Sequence, residues 1–466
     1  MYRKLCFFCG GTEGEVCGSI SIDNKKIYDI IVYESKGLCL LAAHRLELEG
    51  SQLFVKQPEK DFSRKRKISF ADTIRFLLSM NGNTVPKEWM DYWDFYPDMP
   101  SVSAFSQQRQ KLLPDAMDFL FHTFTDSFST LSTYRGFRLI ACDGSDLAIA
   151  CNPKDKETHR RHNSIERGEK GYNQLHLNAL YDLKNRIYID AVIQPGRHPN
   201  EAQALIEMLK RSKVQEPVLL IADRGYESYN IMANAQEKGW KFLIRAKDLG
   251  SRGILTHLPI PEDGTFDCTL SLILTRKQTK EIKSQPHKYR FLTNKTVCDF
   301  LDPIENPFYT LHFRVLRFPI TESTMECIIT NLEEEDFPMK EIKKLYEWRW
   351  GIERSFRELK YTIGLTNFHA KKVEYILQEI FARLIIYNFC ERIITKIVIQ
   401  QKNRKYIYQA NFTVAVLICR EFFSGRVPPP NLEALIQKNI LPVREGRKAP
   451  RKIRPNSAVS FLYRIA

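Results

Sequence analysis

The chain has 466 residues, about three times the roughly 150 of a typical domain, and its 43% hydrophobic and 12% aromatic content supplies ample core; a small stapled scaffold and a disordered chain are both excluded. Lys and Arg number 70 against 55 Asp and Glu, a formal net charge of +15, which favours a polyanionic partner such as nucleic acid. Eleven cysteines scattered from Cys6 to Cys419 do not form the dense framework of a secreted mini-protein, so a reducing cytoplasm is expected.

Residues 1–50 alternate short apolar runs with Gly and charge and show no export signal. They hold Cys6, Cys9, Cys17, Cys39 and His44, a set too loosely spaced for a structural zinc site and better read as reduced cysteines. From Ser51 the character changes. The basic run Arg64, Lys65, Arg66 and Lys67 precedes Ile68, Phe70, Ile74, Phe76 and Leu77 at helical spacing, and a second helical segment over 103–128 carries Gln107, Gln108, Arg109 and Gln110. Long polar side chains of this kind reach phosphates and base edges, so residues 51–130 are expected to be a helical DNA-binding region.

Strand signals follow at 137–142, 175–181 and 186–193, then a helix at 200–211, a buried strand at 217–222, a helix at 229–238 and a strand at 240–244. The order βββαβαβ describes a mixed central sheet flanked by helices, placed at 131–249. Residues 250–335 are expected to be a β-rich insertion with strands at 269–275, 289–292, 309–318 and 325–329. A strong helical pattern from Met339 through Tyr361 opens the second part of the core, 336–400. Within it the stretch 384–400 is interrupted by Asn388, Glu391, Arg392 and Lys396, which predicts an amphipathic helix rather than a membrane span. A helical, basic C-terminal region, 401–466, ends in the cationic arm 444–454.

Asp143 and Asp223 each follow an apolar strand, with a glycine one or two residues later. Ligand sites in α/β sheets gather beyond the carboxyl ends of strands, so the two side chains could share a crevice, although either one alone reads as a turn. Tyr346, Arg349, Glu353 and Lys360, at about 100° per residue, fall within a helical sector roughly 60° wide. Leu345, Trp348, Ile352, Phe356, Leu359 and Ile363 form a separate apolar stripe. Three carboxylates converging from separate elements repel one another unless cations bridge them, and hard oxygen ligands suit Mg²⁺ or Mn²⁺. Two such ions about 4 Å apart serve phosphodiester chemistry. Asp146 is assigned to a cap or the surface, His159 and His162 to a polar loop that is solvated or faces DNA, and His176 to the core. No phosphate-binding Gly-x4-Gly-Lys loop is present, so nucleotide use is not expected.

The strand end Asp143-Gly144-Ser145, the strand end Asp223-Arg224-Gly225-Tyr226 and the spacing Tyr-x2-Arg-x3-Glu-x6-Lys together resemble the three blocks of bacterial insertion-sequence DDE transposases of the IS4 type. The resemblance runs from Ser51 to about Arg392; residues 1–50 match nothing in it. It implies an RNase H-like α/β core with Asp143, Asp223 and Glu353 as catalytic, metal-binding carboxylates for two Mg²⁺ or Mn²⁺ ions. It also implies Tyr346, Arg349 and Lys360 as contacts to the element-end phosphates and Trp350 as an aromatic near the cleaved end. The implied activity is excision of an element and joining of its 3′ hydroxyls to target double-stranded DNA, by a homodimer acting on two ends in a bacterial cytoplasm. A catalytically silent DNA-binding repressor and a hydrolytic nuclease are the alternatives.

Overall fold

A computed structural model describes residues 51–128, 131–161, 171–251, 253–322, 324–401 and 406–443. The cysteine-bearing residues 1–50, His162 and the cationic arm lie outside these.

Four helices come first: α1 (Phe70–Ser79), α2 (Val85–Tyr92), α3 (Val102–Arg109) and α4 (Asp115–Asp126). Ser69 starts α1 with a reciprocal cap, its hydroxyl accepting from the Asp72 N–H while the Asp72 carboxylate accepts from the Ser69 N–H at 3.0 Å. The helical pattern expected over 103–128 is interrupted at 110–114, because Pro114 cannot donate to the preceding turn.

The core strands are β1 (Arg138–Ile149), the two-residue β2 (His159–Arg160), β3 (Tyr172–Asp182) and β4 (Ile187–Pro195), followed by helix α5 (Glu201–Arg211), β5 (Val218–Ala222), α6 (Tyr229–Glu237) and β6 (Lys241–Ala246). β4, β3 and β1 pair antiparallel, while β1, β5 and β6 run parallel. The mixed sheet in the order β4-β3-β1-β5-β6 with helices against it is the RNase H-like arrangement. β5 is buried along its whole length, as a parallel strand covered on both faces must be.

Residues 250–335 do not fold apart from this sheet. β7 (Phe266–Thr275), helix α7 (Lys280–Ser284), β8 (Tyr289–Phe291), β9 (Phe308–Thr321) and β10 (Thr324–Thr330) follow, and β10 pairs with β6. The sheet therefore continues as β6-β10-β9-β7-β8, ten strands among the described residues.

The helical pattern expected from Met339 to Tyr361 is realised in pieces: α8 (Met339–Glu347), α9 (Trp350–Arg357) and a π-helical turn over Glu358–Thr362. Between α8 and α9 the bonds Arg349 N–H to Tyr346 C=O and Ile352 N–H to Arg349 C=O span three residues, a local 3₁₀ tightening. α10 (Val373–Ile394) departs from the amphipathic expectation. It is buried almost all round, packed against α1, α4 and β4, and its charges are matched inside: Glu391 receives Arg186 at 2.6 Å, and Arg383 donates to the carbonyls of Met80 and Asn81. β11 (Tyr408–Ala410), α11 (Phe412–Phe423), α12 (Pro429–Lys438) and β12 (Ile440–Pro442) complete the described chain. One hydrophobic cluster runs from Val55 through α10 to Ile436, so the N-terminal helices share their core with the C-terminal ones. No helix among the described residues is long and apolar enough to cross a membrane.

Candidate active site

The register of the parallel pair β1–β5 sets Cys142 opposite Ala222, so Asp143 and Asp223 are the next residues of two adjacent strands. This is how two short motifs 80 positions apart come to face one crevice. The two acids differ in setting. β5 stops at Ala222, and Asp223 caps the turn Arg224–Tyr226 by accepting from the Gly225 N–H at 2.8 Å. β1 does not stop where the sequence suggested. It runs on to Ile149 against β3, so Asp143 lies inside a strand and its Oδ1 accepts from the Gly144 N–H at 2.9 Å.

α9 lies against β1 and brings the third acid. The Arg349 guanidinium stands between two carboxylates, with Nη2 2.8 Å from Glu353 Oε1 and Nη1 3.8 Å from Asp143 Oδ2. Burial pushes the Asp143 carboxyl up to about 6; the Gly144 N–H and Arg349 hold it down, while Asp223 and Glu353 push it further up. The three acids therefore feel one another, and Arg349 alone does not offset their charge. As they stand, no three His, Cys, Asp or Glu side chains among the described residues enclose one point closely enough for a metal ion. The donor chemistry nevertheless suits a hard divalent cation: three carboxylates, one of them with its proton affinity raised by burial and like charge.

Tyr346 and Arg349 are both buried, and the Tyr346 hydroxyl and Arg349 Nε find no hydrogen-bond partner among the described residues. Such groups are costly to bury and are open to an acceptor brought from outside. Burial raises the Tyr346 hydroxyl to about 12, against the pull of Arg349 and Arg245. Trp350 is 59% exposed, with the Arg349 guanidinium 4.9 Å from its ring centroid. Lys360, in the π turn, donates through Nζ to the Asp146 carbonyl at 2.7 Å and so closes the crevice on the β1 side.

Several sequence assignments change. Arg109 does not face DNA: it is buried, ion-paired to Glu379 at 2.8 Å and hydrogen-bonded to Gln378 at 3.0 Å. Gln108 is buried too. Arg64, Lys65, Arg66 and Lys67 are exposed, and the first three line a cavity of about 480 Å³ with Lys60 and Lys111, well apart in sequence from the acids. Asp146 lies at the surface, as one of its two expected readings had it, but within β1 rather than at a cap, and its carboxylate sits 2.7 Å from His176 Nδ1. His159 belongs to the edge strand β2 and bonds Asn173 at 3.0 Å. His176 is buried as expected, yet it spans two acids, Asp146 and Glu201, beside the crevice. Sequence reasoning missed Glu201 and the pair Arg245–Glu326, at 3.0 Å, whose charges act on Tyr346. No local motif marks Arg245 or Glu326, and Glu201 fell within the helix expected at 200–211 with nothing in the sequence to show its neighbours.

A sequence profile described as Transposase DDE domain matches residues 134–389, which contain all three acids and the Tyr346–Lys360 segment. No curated protein sequence matches the chain. Among solved structures, a cryo-EM structure of the piggyBac transposase synaptic complex with hairpin DNA is similar over 89% of this chain and 87% of that chain, at 11% identity and a TM-score of 0.43.

Proposed function

Since the chain belongs to the Transposase DDE domain family, we propose that it is the transposase of a bacterial insertion sequence of the IS4 type, cutting the element's ends and joining them to target DNA. The observation that carries this reading is the convergence of Asp143 and Asp223, from adjacent parallel strands, on a helix that presents Glu353 and Arg349. Asp143, Asp223 and Glu353 are the residues that would hold Mg²⁺ or Mn²⁺, as two ions. Bound there, such ions activate an attacking oxygen and stabilise the leaving oxygen of a phosphodiester.

The chain's own residues do the rest. Arg349 keeps Glu353 and Asp143 from repelling each other in the free protein. A DNA phosphate entering the crevice meets the unspent Arg349 Nε and Tyr346 hydroxyl, and the planar guanidinium suits two phosphate oxygens at once. Lys360 adds a cation on the far side, and Trp350 offers an exposed ring to an unstacked base beside the cut. The exposed run Arg64–Lys67 holds the duplex farther from the chemistry, and two copies of the chain serve the two ends of the element in the cytoplasm, at the nucleoid. The test uses purified protein, labelled DNA carrying the element's own ends, and Mg²⁺ against EDTA. Metal-dependent 3′ cleavage followed by joining to a second DNA is expected. Binding by folded protein without any cutting would instead identify a silent repressor, and cutting without joining a nuclease.

A further inference from the structure

Each aspartate motif carries a glycine, Gly144 and Gly225, and neither has the positive φ that would demand one. Space demands them. A Cβ on Gly144 would stand 2.6 Å from Glu201 Oε1 and collide with the His176 ring. A Cβ on Gly225 would stand 3.0 Å from Asp223 Oδ1 and 3.7 Å from Glu201 Oε2. The Glu201 carboxylate therefore passes between the two glycines, with Oε1 toward His176 and Oε2 on the side of Asp223.

Glu201 is the first residue of α5, where an acid ordinarily points to solvent and complements the helix dipole. Here it is turned inward, with its side chain 37% exposed, and is met by a side chain that is itself buried. His176 stands opposite Asp146 in the β1–β3 register, with Nδ1 2.7 Å from Asp146 Oδ1. Its Nε2 lies 2.9 Å from Glu201 Oε1, off the angle of a hydrogen bond, and reaches no other partner among the described residues. Lys360, bonded to the Asp146 carbonyl, pins the same stretch of β1.

We propose that Glu201 is a fourth acid of the site, lending a hard oxygen to the divalent cation that Asp143, Asp223 and Glu353 would hold, and that His176 is the positioning residue that aims it. The proposal rests on the metal-dependent reading above.

The experiment titrates full-length protein with Mn²⁺, following the free ion by electron paramagnetic resonance, and in parallel measures the Mn²⁺ needed for half-maximal cleavage of end-bearing DNA. Glu201→Gln, nearly isosteric, should weaken Mn²⁺ binding about tenfold at an unchanged melting temperature. His176→Gln should weaken it by a smaller factor, and the double variant should lose no more than Glu201→Gln, since the histidine acts through that carboxylate. Glu207→Gln, on the same helix and facing solvent, should match the wild type. Should Glu201→Gln melt early, Glu201→Asp, which keeps the charge but retracts it, carries the decision and should also weaken binding. Wild-type Mn²⁺ affinity in the deciding Glu201 variant would overturn the proposal and leave the transposase reading intact. Weakened binding in a protein whose wild type cuts no DNA would uphold the acid and sink the transposase. No Mn²⁺ binding by the wild type would sink both.

Discussion

Two clusters of buried charge in this molecule are built from the same residue types and come to opposite ends. Around α10, Glu379 is completely enclosed, and burial by itself would raise its carboxyl; Arg109, His369 and Arg383 instead draw it down to about 2. In the crevice Asp143 is less enclosed, yet burial lifts it to about 6: the Gly144 N–H and Arg349 pull it down too little, and Asp223 and Glu353 add to the rise. Burial pushes both carboxyls up; around Glu379 the partners overturn it, and at Asp143 they do not. The α10 cluster has its charges closed on one another and holds the N-terminal helices to the core. The crevice keeps negative charge and unspent donors in reserve, a liability for stability that makes sense where a ligand supplies what is missing.

Removing one glutamate from each cluster puts that contrast at risk. Glu353→Ala should reduce cleavage of end-bearing DNA by at least a thousandfold, about 4 kcal/mol at the transition state, while end binding and stability stay within about 0.5 kcal/mol of the wild type. Gel assays and thermal melts on one preparation check both halves; an active or strongly destabilised variant breaks the contrast. Glu379→Ala should do the reverse, costing about 3–5 kcal/mol by denaturant titration because Arg109 and His369 lose a buried counter-charge.

The pH dependence sharpens the same point. Burial would lower His369, but its bonds to Glu379 and Glu88 lift it from near 6.5 to about 9. A raised folded value means that the stability it contributes is fully present below pH 6.5 and is lost as pH rises through 9. At 1.36 kcal/mol per unit this is about 3 kcal/mol, to be read as falling unfolding free energy between pH 6.5 and 9.5 that flattens in His369→Gln. Smallest of all, Lys360→Ala should leave the fold untouched and lower the slope of log affinity against log salt by about 0.9, the share of one phosphate contact. An unchanged slope would place Lys360 off the DNA.

Much of the fold was legible because apolar strands of four to six residues separated by turn residues leave few readings; the strands at β5, β6 and β10 fall within two residues of expectation. What misled was partial exposure. β1 continues through Asp143-Gly144-Ser145-Asp146, where one face opens to the crevice and the apolar signal stops although the pairing does not. The helix of Tyr346, Arg349, Glu353 and Lys360 was found, but a uniform 100° step hides the tight turn at Trp348–Arg349 and the wide one at Glu358–Thr362. Arg109 and Glu201 show the deeper limit: one looks like a DNA contact and lies in the core, the other sits unmarked in a predicted helix and lies beside Asp223. Only their neighbours, distant in sequence, assign them.

The shared core of α1–α4 and α10 also has a consequence during synthesis. Arg109 waits for Glu379, 270 residues later, so the N-terminal helices emerge from the ribosome with an uncovered apolar face and an unmet cation. They gain both partners only after the whole ten-stranded sheet has been made. A truncated chain thus lacks the means to finish its own N-terminal region, and a premature stop yields a product for proteolysis rather than a free-standing helical fragment.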